Sequence, residues 1–75
     1  MSDVGAVLEV IREEYEQART RWPALNTRHE GYAVILEEMD ELWDAVKCQD
    51  AVRCFEEAVQ VGAMVVAFLV EVVGD

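Results

Sequence analysis

A single proline, Pro23, interrupts a chain whose apolar residues otherwise recur at three- and four-residue steps. Proline lacks the amide that a helix interior needs, and a three-to-four step is the mark of an amphipathic helix. The fold class expected is therefore all-α, broken chiefly at Arg21-Trp22-Pro23-Ala24-Leu25-Asn26. Seventy-five residues hold one hydrophobic core, so residues 1–75 read as a single domain.

Before the break, Val4, Val7, Leu8, Ile11, Tyr15, Ala18 and Trp22 form an apolar stripe, opposed by Glu9, Arg12, Glu13, Glu16 and Arg19. This predicts a helix over about residues 4–20. After the break, Thr27 and Glu30 have the spacing of a capping box, in which each side chain serves the other residue's free amide. The second helix is expected over about 28–47. Its core stripe would be Tyr32, Ile35, Leu36, Met39, Leu42, Trp43 and Val46, with Lys47 at the negative end of the helix dipole. Cys48-Gln49-Asp50 reads as a tight connection with Asp50 as the next N-cap.

The third segment, about 51–73, is rich in valine, yet its length without a turn signal exceeds an ordinary strand. Its apolar residues wrap most of the circumference. Two other helices of this size cover only part of such a surface, so a homo-oligomer, dimer or tetramer, is expected to form through this helix. The protomer is then an antiparallel helical hairpin plus an N-terminal helix, completed into a bundle by self-association.

Composition removes several classes of partner. Sixteen acidic against six basic residues give a formal charge of −10, which repels phosphate backbones and anionic lipid headgroups. Neither nucleic acid nor a membrane surface is expected. The uncharged run from Ala58 to Val70 falls short of the roughly 20 apolar residues of a spanning helix. The opening Met1-Ser2-Asp3-Val4 does not read as a secretory signal, which places the protein in the cytoplasm. Cys48 and Cys54 form no CxxC pair and read as two small buried thiols rather than zinc ligands or a disulfide.

The acidic residues are concentrated. Glu37, Glu38, Asp40, Glu41 and Asp44 lie on the second helix, and Glu56 and Glu57 begin the third. With a turn near residue 49, positions whose numbers sum to about 98 share one height in the hairpin. Glu41 then stands level with Glu57, and Glu38 with Gln60. Glu38 and Glu41 share one helix face at i and i+3, as do Glu57 and Gln60. Val34 and Ala45 flank the first pair, and Val61 and Met64 the second, which points to convergence rather than to a purely solvated face. Carboxylates brought together in such surroundings repel, and a hard, oxygen-seeking divalent cation relieves them. Mg²⁺ or Mn²⁺ is implied rather than zinc, because the cluster offers no thiolate or imidazole.

Ile35-Leu36-Glu37-Glu38-Met39-Asp40-Glu41-Leu42 resembles the EExxE motif of the all-α nucleoside triphosphate pyrophosphohydrolases of the MazG type, and Glu57-Ala58-Val59-Gln60 stands where that family has ExxD. The resemblance covers about residues 28–70 and implies a nucleoside triphosphate substrate, cleaved to the monophosphate and pyrophosphate. It implies Glu38, Glu41 and Glu57 as metal ligands and Glu37 as a ligand or a carboxylate behind them. Glu37, Glu38 and Glu41 would form the catalytic set, and Gln60 would stand as a neutral oxygen ligand in place of aspartate. A second departure is the absence of Lys or Arg after Arg53, leaving Arg28, Lys47 and Arg53 near the motifs. These two departures favour another reading, a MazG-like helical binding or assembly module without catalysis; the three retained carboxylates favour the enzyme.

His29, in the first turn of the second helix, is expected to be structural. Trp43 and Tyr32 are expected to pack in the core, and Trp22 is left open to a stacking role.

Overall fold

The computed structural model describes residues 3–74, and among them every regular element is helical. Helix α1 spans Val4–Arg21, α2 Arg28–Lys47 and α3 Ala51–Phe68, after which the chain continues through a π-helical turn, Leu69–Val73. The three expected helices are present; α1 and α2 match the expected boundaries within a residue, whereas the third, expected to run to about 73, is α-helical only to Phe68 and continues to Val73 as the π-helical turn.

Each helix starts on a side chain that accepts an otherwise unpaired amide: Asp3 from Ala6, Thr27 from Glu30, and Asp50 from Arg53. The capping box is shifted by one residue from its expected form. Thr27 Oγ1 accepts the Glu30 amide at 3.0 Å, whereas Glu30 Oε1 accepts from Asn26 N–H at 2.6 Å rather than from Thr27. The carboxylate thereby holds the segment that enters α2 as well as the helix end.

Helix α2 closes with a Schellman arrangement. Gln49 N–H donates to the Val46 carbonyl at 3.0 Å and Asp50 N–H to that of Ala45 at 3.3 Å. Gln49 takes φ 55°, the left-handed conformation that glycine usually supplies. The turn is short enough to lay α3 antiparallel against α2.

Helix α3 is the centre of the protomer. Both α1 and α2 pack on it, while their own backbones do not approach within 8 Å of each other. The fully packed positions are small: Ala18, Ala45, Val59, Ala63 and Ala67. Val59, Ala63 and Ala67 form an i, i+4, i+8 row, so helices close over α3 at short range. Gly31 belongs to the same contact, since a Cβ there would sit 2.6 Å from Phe68 Cδ2.

This arrangement corrects the expected core. Tyr32, Leu36, Met39, Trp43 and Val46 are exposed, and Ile35 and Leu42 are half-buried. The reason is steric: α2 meets α3 through its Gly31, Val34, Glu38 and Ala45 side, where backbones approach closest, and α1 docks on α3 instead of covering the large apolar stripe. Among the described residues no large side chain is fully buried. Cys48, expected to be buried, is exposed in the turn, and Cys54 is half-buried. No helix is long and apolar enough to cross a membrane.

Candidate metal centre and groove

The hairpin register brings three carboxylates together. One oxygen each from Glu38, Glu41 and Glu57 lie within 4.8 Å of one another, two residues from α2 and one from α3. Glu38 and Glu57 are half-buried and Glu41 is exposed. Glu57 Oε2 is shut off from solvent without a hydrogen-bond partner. A buried acceptor oxygen left without a donor carries an uncompensated desolvation cost.

Glu38 carries the electrostatic consequence. Burial, followed by the charges of Glu41, Glu57, Glu37 and Glu14, pushes its carboxyl above the ordinary range. The donors are all oxygen, with no thiolate or imidazole among them, so the set fits a hard divalent ion in chemistry and in its uncompensated charge.

The cluster stands beside a groove of about 500 Å³ between α1 and α2, floored by α3. Glu37, Glu38 and Gln60 line it together with Val34 and Met64, and its far end is formed by Arg19, Arg21, Trp22 and Pro23. Gln60 also borders a second recess of about 380 Å³ beside Glu57, shared with Glu14, Val10 and Phe55. Of the candidate residues, Glu38, Glu41 and Glu57 converge directly, while Glu37 and Gln60 sit on the groove wall next to them. Asp40 and Asp44 face solvent, and Asp44 pairs with Lys47 at 3.4 Å. His29 is exposed in the first turn of α2.

Helix α1 contributes residues that the motif-based reading passed over. Glu14 lines both recesses and acts on Glu38. Its signal was present in the sequence: counting helical steps from Ile11 and Ala18 places Glu14 within the apolar sector of α1, where a carboxylate is out of place. Arg19 and Arg21 add cations to the groove beyond Arg28, Lys47 and Arg53. Arg19 is largely engaged, with Nε 2.8 Å from Glu71 Oε2 and Nη2 donating to the carbonyls of Trp22 and Pro23 at 3.0 Å. Arg21 donates to Gln17 Oε1 at 3.3 Å on the exposed rim. Trp22 is exposed at the same end.

Glu71 anchors that end of the groove. Its Oε2 accepts from Tyr15 Oη at 2.9 Å and its Oε1 from Leu25 N–H at 2.8 Å. Burial, then the Glu71 hydrogen bond and charge, raise the Tyr15 hydroxyl above its usual range, with Arg19 acting in the opposite sense.

No family model, curated protein or solved structure matches the chain.

Proposed function

We propose that the chain is a MazG-like, divalent-metal-dependent nucleotide pyrophosphohydrolase, converting a nucleoside triphosphate to its monophosphate and pyrophosphate. The observation that carries this reading is the convergence of Glu38, Glu41 and Glu57, with an unpartnered buried oxygen on Glu57, beside a groove of about 500 Å³. A solvated acidic face has no need of either feature.

In this reading Glu38, Glu41 and Glu57 hold the ion, and Gln60 offers a neutral oxygen where the motif has aspartate. A divalent ion held there would supply Lewis-acid polarisation of phosphoryl oxygens and activation of water. Glu37, on the groove wall, orients water or substrate from behind the ligands. Arg21 and Trp22, exposed at the far end, present a cation and an aromatic face to a bound nucleotide. The groove walls fix the substrate between these two ends, which is the positioning part of the chemistry. The reading includes a cytoplasmic homo-oligomer.

Pyrophosphate release from a panel of nucleoside triphosphates with Mg²⁺ or Mn²⁺ tests the proposal, with Glu41→Ala as the control. Turnover lost in the variant is expected. A folded protein without turnover on any nucleotide rejects it.

One observation favours the second reading, a non-catalytic binding or assembly module. Arg19, the more central groove cation, is held by Glu71 and two backbone carbonyls rather than left free for phosphate. Metal-insensitive thermal unfolding together with absent turnover would select that reading.

A further inference from the structure

At the end of the groove far from the carboxylate cluster, the Arg19 guanidinium is held through two of its nitrogens. Nε lies 2.8 Å from Glu71 Oε2, and Nη2 donates to the Trp22 and Pro23 carbonyls at 3.0 Å each. The guanidinium carbon stands 5.9 Å from the centroid of the Tyr15 ring. Nη1 makes no hydrogen bond among the described residues, and the side chain, 29% exposed, lines the groove.

Glu71 offsets the charge of Arg19, so this end does not attract phosphate as a free arginine does. What stays open is a pattern rather than a charge. Nη1 offers two N–H donors, and beside it are carbonyl oxygens that each keep a second lone pair. The attachments fix the guanidinium in place, so little side-chain entropy is lost when a ligand meets it. Trp22, 66% exposed at the same end, adds a flat aromatic face. Donor, acceptor and aromatic face together match a planar heterocycle that carries an acceptor next to a donor.

Resting on the nucleotide reading above, we infer that this end of the groove reads the base and selects one with a keto oxygen beside a ring N–H: uracil, thymine, guanine or hypoxanthine. Arg19 Nη1 donates to the keto oxygen. A carbonyl of Trp22 or Pro23 accepts from the neighbouring ring N–H, and the Trp22 ring stacks on the base. Cytosine and adenine carry the reverse pair, an amino group beside a bare ring nitrogen. Against this array their amino hydrogens meet the Arg19 N–H groups and their ring nitrogen meets a carbonyl oxygen, so both contacts become repulsive. A site built to bond a polar edge rejects the analogue lacking it more strongly than an apolar pocket can. The ties that withdraw Arg19 from phosphate are those that make it a fixed reader of a neutral edge.

Isothermal titration calorimetry on the full chain tests this with the non-hydrolysable α,β-imido triphosphates of deoxyuridine, deoxyguanosine, deoxycytidine and deoxyadenosine, each with Mg²⁺. The uracil and guanine analogues are expected to bind about tenfold or more tightly than the other two, the factor a hydrogen bond to a charged donor supplies. Arg19→Lys keeps a cation for Glu71 without the planar fork, and should bring the four affinities within about threefold of one another. Trp22→Ala should weaken all four by about tenfold and keep their order, because stacking tolerates any base. Should Arg19→Lys not fold, the N3-methyluracil analogue on the wild type provides a second readout, and its missing ring N–H should weaken binding about tenfold relative to uracil.

Keto selection is overturned by equal affinities, by absent binding of all four, by preference for cytosine or adenine, by an order that survives Arg19→Lys, or by unimpaired binding of the N3-methyl analogue. Turnover of the ordinary triphosphates separates this from the reading beneath it. Hydrolysis of all four at equal kcat/KM retains the pyrophosphohydrolase and removes base selection. Ordered binding with no turnover retains base selection and removes the enzyme.

Discussion

Glu71 Oε1 accepts the backbone amide of Leu25 at 2.8 Å, joining the π-helical turn at the end of the chain to the segment that follows Pro23. The same carboxylate takes the Tyr15 hydroxyl and lies 2.8 Å from the Arg19 guanidinium. One side chain, only 7% exposed, thus fixes α1, the connection and the π-helical turn that continues α3 to one another.

Glu71→Ala should destabilise the protomer by about 2–3 kcal/mol, because it leaves the Leu25 amide, the Tyr15 hydroxyl and the Arg19 cation without their acceptor. Glu71→Gln retains an acceptor for Leu25 and should lose less. Urea unfolding of the three proteins checks the order, and equal stability of Glu71→Ala and wild type would refute it.

Gly31→Ala pits helix propensity against packing. Alanine is favoured over glycine within a helix by about 1 kcal/mol, yet its Cβ would stand 2.6 Å from Phe68 Cδ2 and 3.3 Å from Leu25 Cδ1. Overpacking of this kind costs about 1–3 kcal/mol, so the net change is a loss of about 1 kcal/mol. Circular dichroism melting is the measurement, and a raised melting temperature contradicts the prediction.

Gln49→Gly should stabilise the fold. The residue sits at φ 55°, a conformation that disfavours a side chain by about 1 kcal/mol and glycine hardly at all. Greater freedom of glycine in the unfolded chain removes part of the gain, leaving about 0.5 kcal/mol. Guanidinium unfolding resolves that difference from zero.

Glu38→Gln gives a pH-dependent result. Burial and the neighbouring carboxylates raise the Glu38 carboxyl above its ordinary 4.5, so the native state holds this proton more tightly than the unfolded chain. Stability from this group is therefore present at low pH and lost as pH rises from about 4.5 through the raised value. Without metal, Glu38→Gln should exceed wild type at neutral pH by no more than about 0.5 kcal/mol, because the side chain is only partly buried and solvent screens the repulsion. The advantage should vanish in acid, where wild type is protonated. Millimolar Mg²⁺ or Mn²⁺ should reverse the ranking at neutral pH by stabilising wild type alone. Thermal unfolding at two pH values, with and without metal, reports all three comparisons.

The hairpin was legible because its determinants are local. Thr27 and Asp50 sit directly before the helices they cap, and Cys48-Gln49-Asp50 is too short to lay α3 any way but antiparallel. Once that turn is placed, equal heights for Glu41 and Glu57 follow from helical rise alone. The three-carboxylate cluster follows with them. Glu14 escaped a reading confined to α2 and α3 because it comes from the helix with no motif, although its place in an apolar sector marked it. Arg21, seven residues on from Glu14, lies on the same face and escaped with it, while Arg19 lies beside Arg12 and Glu16 on the polar side of α1, and only the docking of α1 on α3 turns it toward the groove.

The choice of buried faces belongs to another scale. A helical wheel ranks the sectors of α2 by apolarity, and Tyr32, Trp43 and Leu36 win that ranking. Packing rewards close approach as well, and Gly31, Ala45, Ala63 and Ala67 let backbones meet where large side chains would hold them apart. Sequence by itself determined three helices, their caps, the tight turn and the height at which the carboxylates stand, since each depends on residues a few positions apart. Tertiary structure alone decided that α1 rests on α3, that a groove opens beside the carboxylates, and that the aromatic stripe of α2 faces outward. Those outcomes depend on how whole helix surfaces compete for one another, a competition settled only when all three are packed.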